Sequence, residues 1–246
     1  MADIAIIGGT GLTSIKTLDI KHREVVHTPY GEPSGPLTLG VLCGKEVVFL
    51  ARHGYGHTIP PHKVNYRANM WALKEAGANH VIAVNAVGGI RGDMVPGRLV
   101  FPDQIIDYTW SRVNTYFEEG LSQVVHIDFT RPYCEALRRV LIQAAAKAAL
   151  DAVEDGTYGA TQGPRLETAA EIDRLERDGC DLVGMTGMPE AALARELELC
   201  YASTAVVANW AAGRGEGEIT MEEIERHLKN GMEKVRTLLA EVIPSL

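Results

Sequence analysis

The chain has 246 residues, 46% of them hydrophobic and 23% charged, proportions of a globular protein with room for one α/β domain or two small ones. A formal net charge of −8 argues against a general nucleic-acid footprint but leaves room for a local anion site. No stretch approaches the roughly 18 uninterrupted apolar residues of a membrane span, and Met1-Ala2-Asp3 leads into a strand-like run without a signal pattern, so a cytoplasmic protein is expected.

Ile4 to Ile7 is apolar and ends in Gly8-Gly9-Thr10-Gly11. A strand followed by a glycine turn invites a dinucleotide reading. However, Gly9-Thr10-Gly11-Leu12-Thr13-Ser14 ends in serine and no helical run follows. A turn whose N–H groups and Thr10 hydroxyl hold a phosphate oxygen is simpler. Pro33 to Gly40 reads as an exposed connection. Lys45 to Ala51 reads as a strand with Arg52-His53-Gly54 at its end, where a guanidinium suits bidentate contact with phosphate or carboxylate. His53, His57 and His62 suggest a metal site, but Gly54, Gly56, Pro60 and Pro61 argue against the helix that an i, i+4 pair needs.

Val64 to Ala76 is expected as a helix stopped by Gly77. His80 to Asn85 reads as a buried strand running into another glycine turn, Ala86-Val87-Gly88-Gly89. Leu99 to Tyr108 suits a strand and then a turn. Asn114 to His126 has no period, and a loop of that length in a compact domain is functional or covered by a partner. Cys134 to Leu150 carries apolar residues at helical spacing, and Thr157 to Thr161 suits a short strand. Thr168 with Glu171 forms a capping box that opens a helix ending at Gly179.

Asp181 to Glu196 is the stretch around which the chain is organised. Leu182, Val183 and Met185 suit a buried strand; Thr186 and Gly187 break it; Pro189 fits the first helical turn, and Glu190 sits beside its positive end. This delivers a methionine, a hydroxyl and free N–H groups to one point, suiting a small anion against an apolar ligand, although an ordinary strand–loop–helix connection reads the same way. Tyr201 to Ala208 is a further strand ending in Asn209-Trp210. Thr220 with Glu223 repeats the capping signal before an amphipathic helix to about Ile243. Cys43, Cys134, Cys180 and Cys200 are widely spaced and are expected as thiols. The alternation predicts a single α/β domain over residues 1–246 with a mixed, mostly parallel sheet flanked by helices. Such sheets bind ligands at the carboxyl ends of their strands, where Thr10, Arg52, Ala86, Thr186 and Asn209 fall.

Five ordered segments, 8–12 (Gly-Gly-Thr-Gly-Leu), 52–54 (Arg-His-Gly), 63–69 (Lys-Val-Asn-Tyr-Arg-Ala-Asn), 162–168 (Gln-Gly-Pro-Arg-Leu-Glu-Thr) and 185–190 (Met-Thr-Gly-Met-Pro-Glu), make the chain resemble the trimeric purine nucleoside phosphorylase and methylthioadenosine phosphorylase family. The resemblance implies a purine-salvage transferase, a homotrimer, no metal and no organic cofactor. Inorganic phosphate would be the co-substrate, leaving a free purine and a pentose 1-phosphate. It implies that Thr10, Arg52, His53, Asn85, Ala86 and Thr186 hold phosphate, with Asn85 departing from the threonine of the methylthioadenosine enzymes. Met185 would lie against the ribose with His57 and Tyr66 nearby, Leu166 within the substrate site, and His126 in the neighbouring subunit's site.

Two features separate members of that family. Asn209 and Ala211 replace two aspartates of the methylthioadenosine enzymes, and Glu167 matches the glutamate that 6-oxopurine enzymes set against N1–H. An asparagine amide donates to O6, which an ionised carboxylate cannot do. Met221, with Ile224 one turn on, stands where phosphorylases of ordinary nucleosides have a histidine for the 5′-hydroxyl, and a thioether packs better against a methylthio group. The expected substrate is therefore 5′-methylthioinosine. A general inosine and guanosine phosphorylase or a methylthioadenosine phosphorylase are the alternatives. A non-catalytic nucleoside binder, a nucleosidase using water and a nicotinamide-dependent oxidoreductase stand further off.

Overall fold

The computed structural model of the protein describes residues 2–12 and 14–246. Strand β1 (Ile4–Gly8) is buried along its whole length, as a continuous apolar run requires of a central parallel strand. After it come β2 (Asp19–Glu24), β3 (Leu37–Leu42) and β4 (Lys45–Ala51). Helix α1 (Tyr66–Glu75) then leads to β5 (His80–Gly89), and β6 (Leu99–Val100) and β7 (Gln104–Asp107) precede α2 (Glu135–Lys147). The chain continues through β8 (Ala152–Val153), β9 (Thr157–Ala160), α3 (Ala169–Arg177), β10 (Leu182–Gly184), α4 (Gly187–Glu196), β11 (Cys200–Trp210) and α5 (Met221–Val242). These strands form one sheet ordered β2-β3-β4-β1-β5-β10-β9-β7, with β11 beside β5 and leading through β6 to β8. Six of its ten pairings are parallel. The expected α/β class with a mixed, mostly parallel sheet holds.

Strand β5 is where the sheet branches. β11 runs parallel to it from His80 to Gly89 and occupies one edge. The other edge is shared. β1 pairs with it as far as Ala83, and β10 arrives antiparallel at Gly88 and Gly89. β1 and β10 therefore meet head-on with their carboxyl ends facing, and Val84 to Val87 have no strand partner on that edge. A backbone with unpaired polar groups must find other partners, and this gap becomes the floor of the functional site.

Helices cover both faces. Met70 and Leu73 of α1 pack with Leu193 and Ala194 of α4 on one side, while Leu137 and Leu141 of α2 pack with Leu228, Met232 and Leu238 of α5 on the other. The Thr168–Glu171 capping box is complete, whereas at Thr220 only the forward bond from Glu223 N forms.

Three expectations are corrected and one strand is added. Ala86-Val87-Gly88-Gly89 is not a turn but the continuation of β5, and a Cβ on Gly89 would collide with the Met94 carbonyl, so glycine serves close approach. The segment read as an exposed connection contains the start of β3, with Leu37 fully buried. β2, unread in the sequence, is an exposed edge strand rich in charge, a composition that discourages further pairing. Cys134 and Cys200, expected as thiols, form a disulfide across 66 residues, with Cα atoms 5.0 Å apart. Cys134 N donates to Tyr201 O at 2.8 Å, a tertiary contact that sequence spacing does not reveal. Cys43 and Cys180 remain free. No helix among the described residues is long and apolar enough to cross a membrane.

Candidate active site

A cavity of about 570 Å³ opens where β1 and β10 face each other. Its floor is formed by Gly9 and Thr10 from the turn after β1, Ala86 and Val87 from the unpaired edge of β5 with Gly88 beyond them, and Thr186 just past the end of β10. Arg52 and His53, at the end of β4, complete this polar end.

Arg52 is fully buried, and its fork meets a carboxylate. Nε and Nη2 donate to Glu190 Oε2 and Oε1 at 2.6 and 2.7 Å, and Nη1 donates to the Val84 carbonyl at 2.8 Å. Tyr201 OH donates to Glu190 Oε1 at 2.8 Å. Burial opposes the charge, but Glu190 more than offsets it and holds Arg52 more firmly protonated than an exposed arginine. The bidentate contact expected with phosphate or carboxylate is thus made with a carboxylate. Only the second N–H of Nη1 and of Nη2 remain for a ligand. Glu190 stands in the first turn of α4, as expected, and also serves as a buried counter-ion 138 residues away from Arg52 in sequence.

His53 Nδ1 lies 2.8 Å from the Ile59 carbonyl, so in the neutral ring this nitrogen carries the proton and Nε2 keeps a lone pair. Burial, then the Arg52 charge, push the His53 pKa down to about 4. His57 stacks obliquely on it with ring centroids 4.8 Å apart, and both line the cavity. Asn85 does not reach the wall. It lies buried behind Thr186, donating from Nδ2 to Thr186 Oγ1 at 2.8 Å while Ser203 Oγ donates to its Oδ1 at 2.8 Å. Because Thr186 Oγ1 accepts from Asn85, its own proton is free to face the cavity.

The middle of the cavity is formed by Val183, Gly184 and Met185 from β10 and its end, facing Pro164, Leu166 and Glu167. Glu167 Oε1 accepts from Thr161 Oγ1 at 2.6 Å, which fixes the carboxylate without neutralising it. Asn209, at the end of β11, donates from Nδ2 to Trp210 O at 2.7 Å and leaves its other amide N–H and its carbonyl unused. Ala211 and Ala212 lie beside it. At one end the wall is apolar, formed by Ile219, Met221, Ile224 and Leu228. Met221 opens α5 and is 64% exposed, which rules out plain helix-core packing.

The structure thus gathers Thr10, Arg52, His53, His57, Ala86, Leu166, Glu167, Met185, Thr186, Asn209, Ala211, Met221 and Ile224 around one cavity. Three expected residues are not on its wall: Asn85 stands one layer behind, and the others are Tyr66 and His126. Tyr66 is buried at the start of α1, its hydroxyl donating to Pro61 O at 2.9 Å, and burial holds that hydroxyl well above its ordinary pKa. Its link to the cavity runs through Pro61, which lines it. His126 is exposed in the long segment after β7, away from this chain's own cavity. Sequence reading passed over Ile59, Pro60 and Pro61, which line the cavity, and Tyr201, which holds Glu190. Among the described residues no cluster of His, Cys, Asp and Glu has the arrangement of a metal site.

A family profile described as "Phosphorylase superfamily" matches residues 3–244. The chain is 57% identical over 243 residues to a "probable S-methyl-5'-thioinosine phosphorylase" of Pseudomonas syringae pv. tomato, covering 99% of both. It is 48% identical to the "6-oxopurine nucleoside phosphorylase" of Pyrococcus furiosus, covering 99% of this chain and 93% of that one. A solved structure of methylthioadenosine phosphorylase from Schistosoma mansoni in complex with adenine superposes with a TM-score of 0.95 at 34% identity, over 100% of this chain and 92% of that one. With these matches spanning its whole length, the chain belongs to the phosphorylase superfamily and is an enzyme of the purine nucleoside phosphorylase kind.

Proposed function

We propose that the enzyme cleaves 6-oxopurine nucleosides with inorganic phosphate. It favours S-methyl-5′-thioinosine and releases hypoxanthine and 5-methylthioribose 1-phosphate. One observation carries this reading: a single cavity places a polar slot, a carboxylate–amide pair and an apolar end side by side. Phosphate in the slot between β1 and β10 would present an oxygen to C1′ as the bond to the purine breaks, with Gly9 and Ala86 backbone, Thr10 and Thr186 around it. The bonding pair leaves with the base, so catalysis rests on relieving charge on the purine. Asn209 has an amide N–H for O6, and Glu167 an acceptor for N1–H. The apolar end formed by Ile219, Met221, Ile224 and Leu228 offers nothing to a 5′-hydroxyl and suits a methylthio group. The relatives named for methylthioinosine and for 6-oxopurine nucleosides support the same substrate class.

The exposure of Met221 favours a second reading, a general inosine and guanosine phosphorylase, because a half-open 5′ end discriminates less. The same proposal carries a homotrimer with no metal and no organic cofactor, as the family resemblance implies, and the cytoplasmic location expected from the sequence. Leu121, Val124 and Val125 stand exposed in the segment that bears His126, as expected of a loop seated on a neighbouring subunit. The test is initial rates on inosine, guanosine, adenosine, methylthioadenosine and methylthioinosine, with and without phosphate. Methylthioinosine should lead and every rate should require phosphate. Faster 6-aminopurine substrates, or turnover without phosphate, would refute the proposal.

A further inference from the structure

Arg112 lies in the long segment between β7 and α2 and is half-buried behind the cavity rather than on its wall. Nη1 donates to the carbonyls of Met185 at 2.8 Å and Met188 at 2.7 Å, with the Tyr66 hydroxyl at 3.3 Å. Nη2 donates to the carbonyls of Gln162 at 2.8 Å and Thr161 at 3.3 Å, and Nε to Gln162 Oε1 at 3.1 Å. These acceptors occupy all the N–H groups of a guanidinium. None of them is a carboxylate. The group is therefore a planar template for carbonyls, a role for which an ammonium has the wrong shape.

The carbonyls come from two places that matter. Thr161 and Gln162 follow the end of β9; Met185 and Met188 follow the end of β10, its parallel neighbour. Beyond those ends the chain parts, one branch carrying Leu166 and Glu167 and the other Met185. Strand-end carbonyls lack ladder partners, and Arg112 supplies them from a single side chain. The two branches touch, since a Cβ on Gly163 would collide with Met185 Sδ. The side chains of the polar slot have partners of their own: Arg52 is held by Glu190 and Val84, and Thr186 by Asn85.

We propose that Arg112 is a positioning residue that locks the two walls of the nucleoside half of the cavity together, and so sets affinity for the nucleoside while leaving the phosphate half untouched. This rests on the nucleoside reading given above. Arg112→Ala should raise the nucleoside KM about tenfold to a hundredfold, the scale of a displaced substrate wall, while the phosphate KM stays within about twofold. Arg112→Lys should behave like Arg112→Ala, and added ethylguanidine should restore part of the loss in Arg112→Ala. An unchanged nucleoside KM, a parallel rise in both KM values, or full activity in Arg112→Lys would overturn the assignment. Should the arginine variants fail to fold, Gln162→Ala removes the Nε acceptor, together with its contact to Trp110 N, while leaving the carbonyl contacts of Arg112 in place; it should raise only the nucleoside KM, by about two- to fivefold, and no rise there would equally overturn it. Calorimetric titration with hypoxanthine needs no turnover. If the wild type proved inactive, the functional reading would fail, yet weaker hypoxanthine binding by Arg112→Ala than by wild type would still uphold the role of Arg112, and equal binding would refute it.

Discussion

The two halves of the cavity are built from different materials. The polar slot is made of strand ends and backbone, lies over the branch in the sheet, and is backed by buried groups: Arg52, Glu190, Asn85 and Ser203. The nucleoside half is made of side chains on the 162–167 loop, half-buried or exposed, and at the start of α5, where Met221 is exposed while Ile224 and Leu228 are buried. The first is tied into the core, so a change there disturbs the fold; in the second, the exposed positions can vary with little structural consequence. The contrast shows where a common reaction step and a substrate preference can reside in one cavity without interfering.

The comparison breaks most visibly at Glu190. Replacing it with alanine leaves the Arg52 guanidinium buried without its counter-ion, and the expected cost is about 3–5 kcal/mol of stability. Thermal or denaturant unfolding of Glu190→Ala checks this. A loss under about 1 kcal/mol, the scale of a surface ion pair, would mean that the slot is not tied into the core as described. For the same reason Arg52→Ala is a poor probe of phosphate binding, because it strands Glu190.

Acid should act on the slot next. The folded pKa of His53 is depressed to about 4 from an ordinary 6.5, so between those values the unfolded chain binds a proton that the native chain does not. Stability from this group is therefore full above about pH 6.5 and falls as pH drops toward 4, with a slope of at most about 1.4 kcal/mol per pH unit. Unfolding curves across that window, with His53→Gln as the control of reduced slope, read the effect; an equal slope in both proteins would discard it.

In the nucleoside half, Met221→His should cut the preference for methylthioinosine over inosine by about 1–3 kcal/mol, with the phosphate KM and the unfolding midpoint nearly unchanged. A large loss of stability would show that this half is not independent of the core. The smallest effect belongs to Asn85→Ala. Loss of the bond that fixes Thr186 should weaken phosphate saturation by about 1 kcal/mol and leave the nucleoside KM alone. Steady-state titration of each substrate separates the two, and a shift confined to the nucleoside would remove Asn85 from the slot.

Much of this was legible from residues alone. Apolar runs, helical spacing and stop signals at Gly77 and Gly179 announced most strands and helices because those signals are local. The family resemblance pointed to Glu167, Asn209, Met221 and Ile224, and their hydrogen-bond capacity and polarity, which belong to the side chains themselves, then set the expected substrate. Local reading failed where glycine had two meanings. Gly88 and Gly89 read as a turn, but they permit close packing inside a strand. It failed at β2 as well, whose exposed and charged residues carry no core pattern.

Sequence by itself determined the strand–helix order, the polar and apolar character of each wall, and the motifs that mark the family. Only the tertiary structure decided which partner each polar group takes. Arg52 finds Glu190 across 138 residues, Asn85 finds Ser203 across 118, and Arg112 reaches Met188 across 76. Periodicity and capping arise from neighbours along the chain. Such pairings arise instead from the branch at β5, where β1 and β10 end face to face, and no local propensity encodes where two strands will meet.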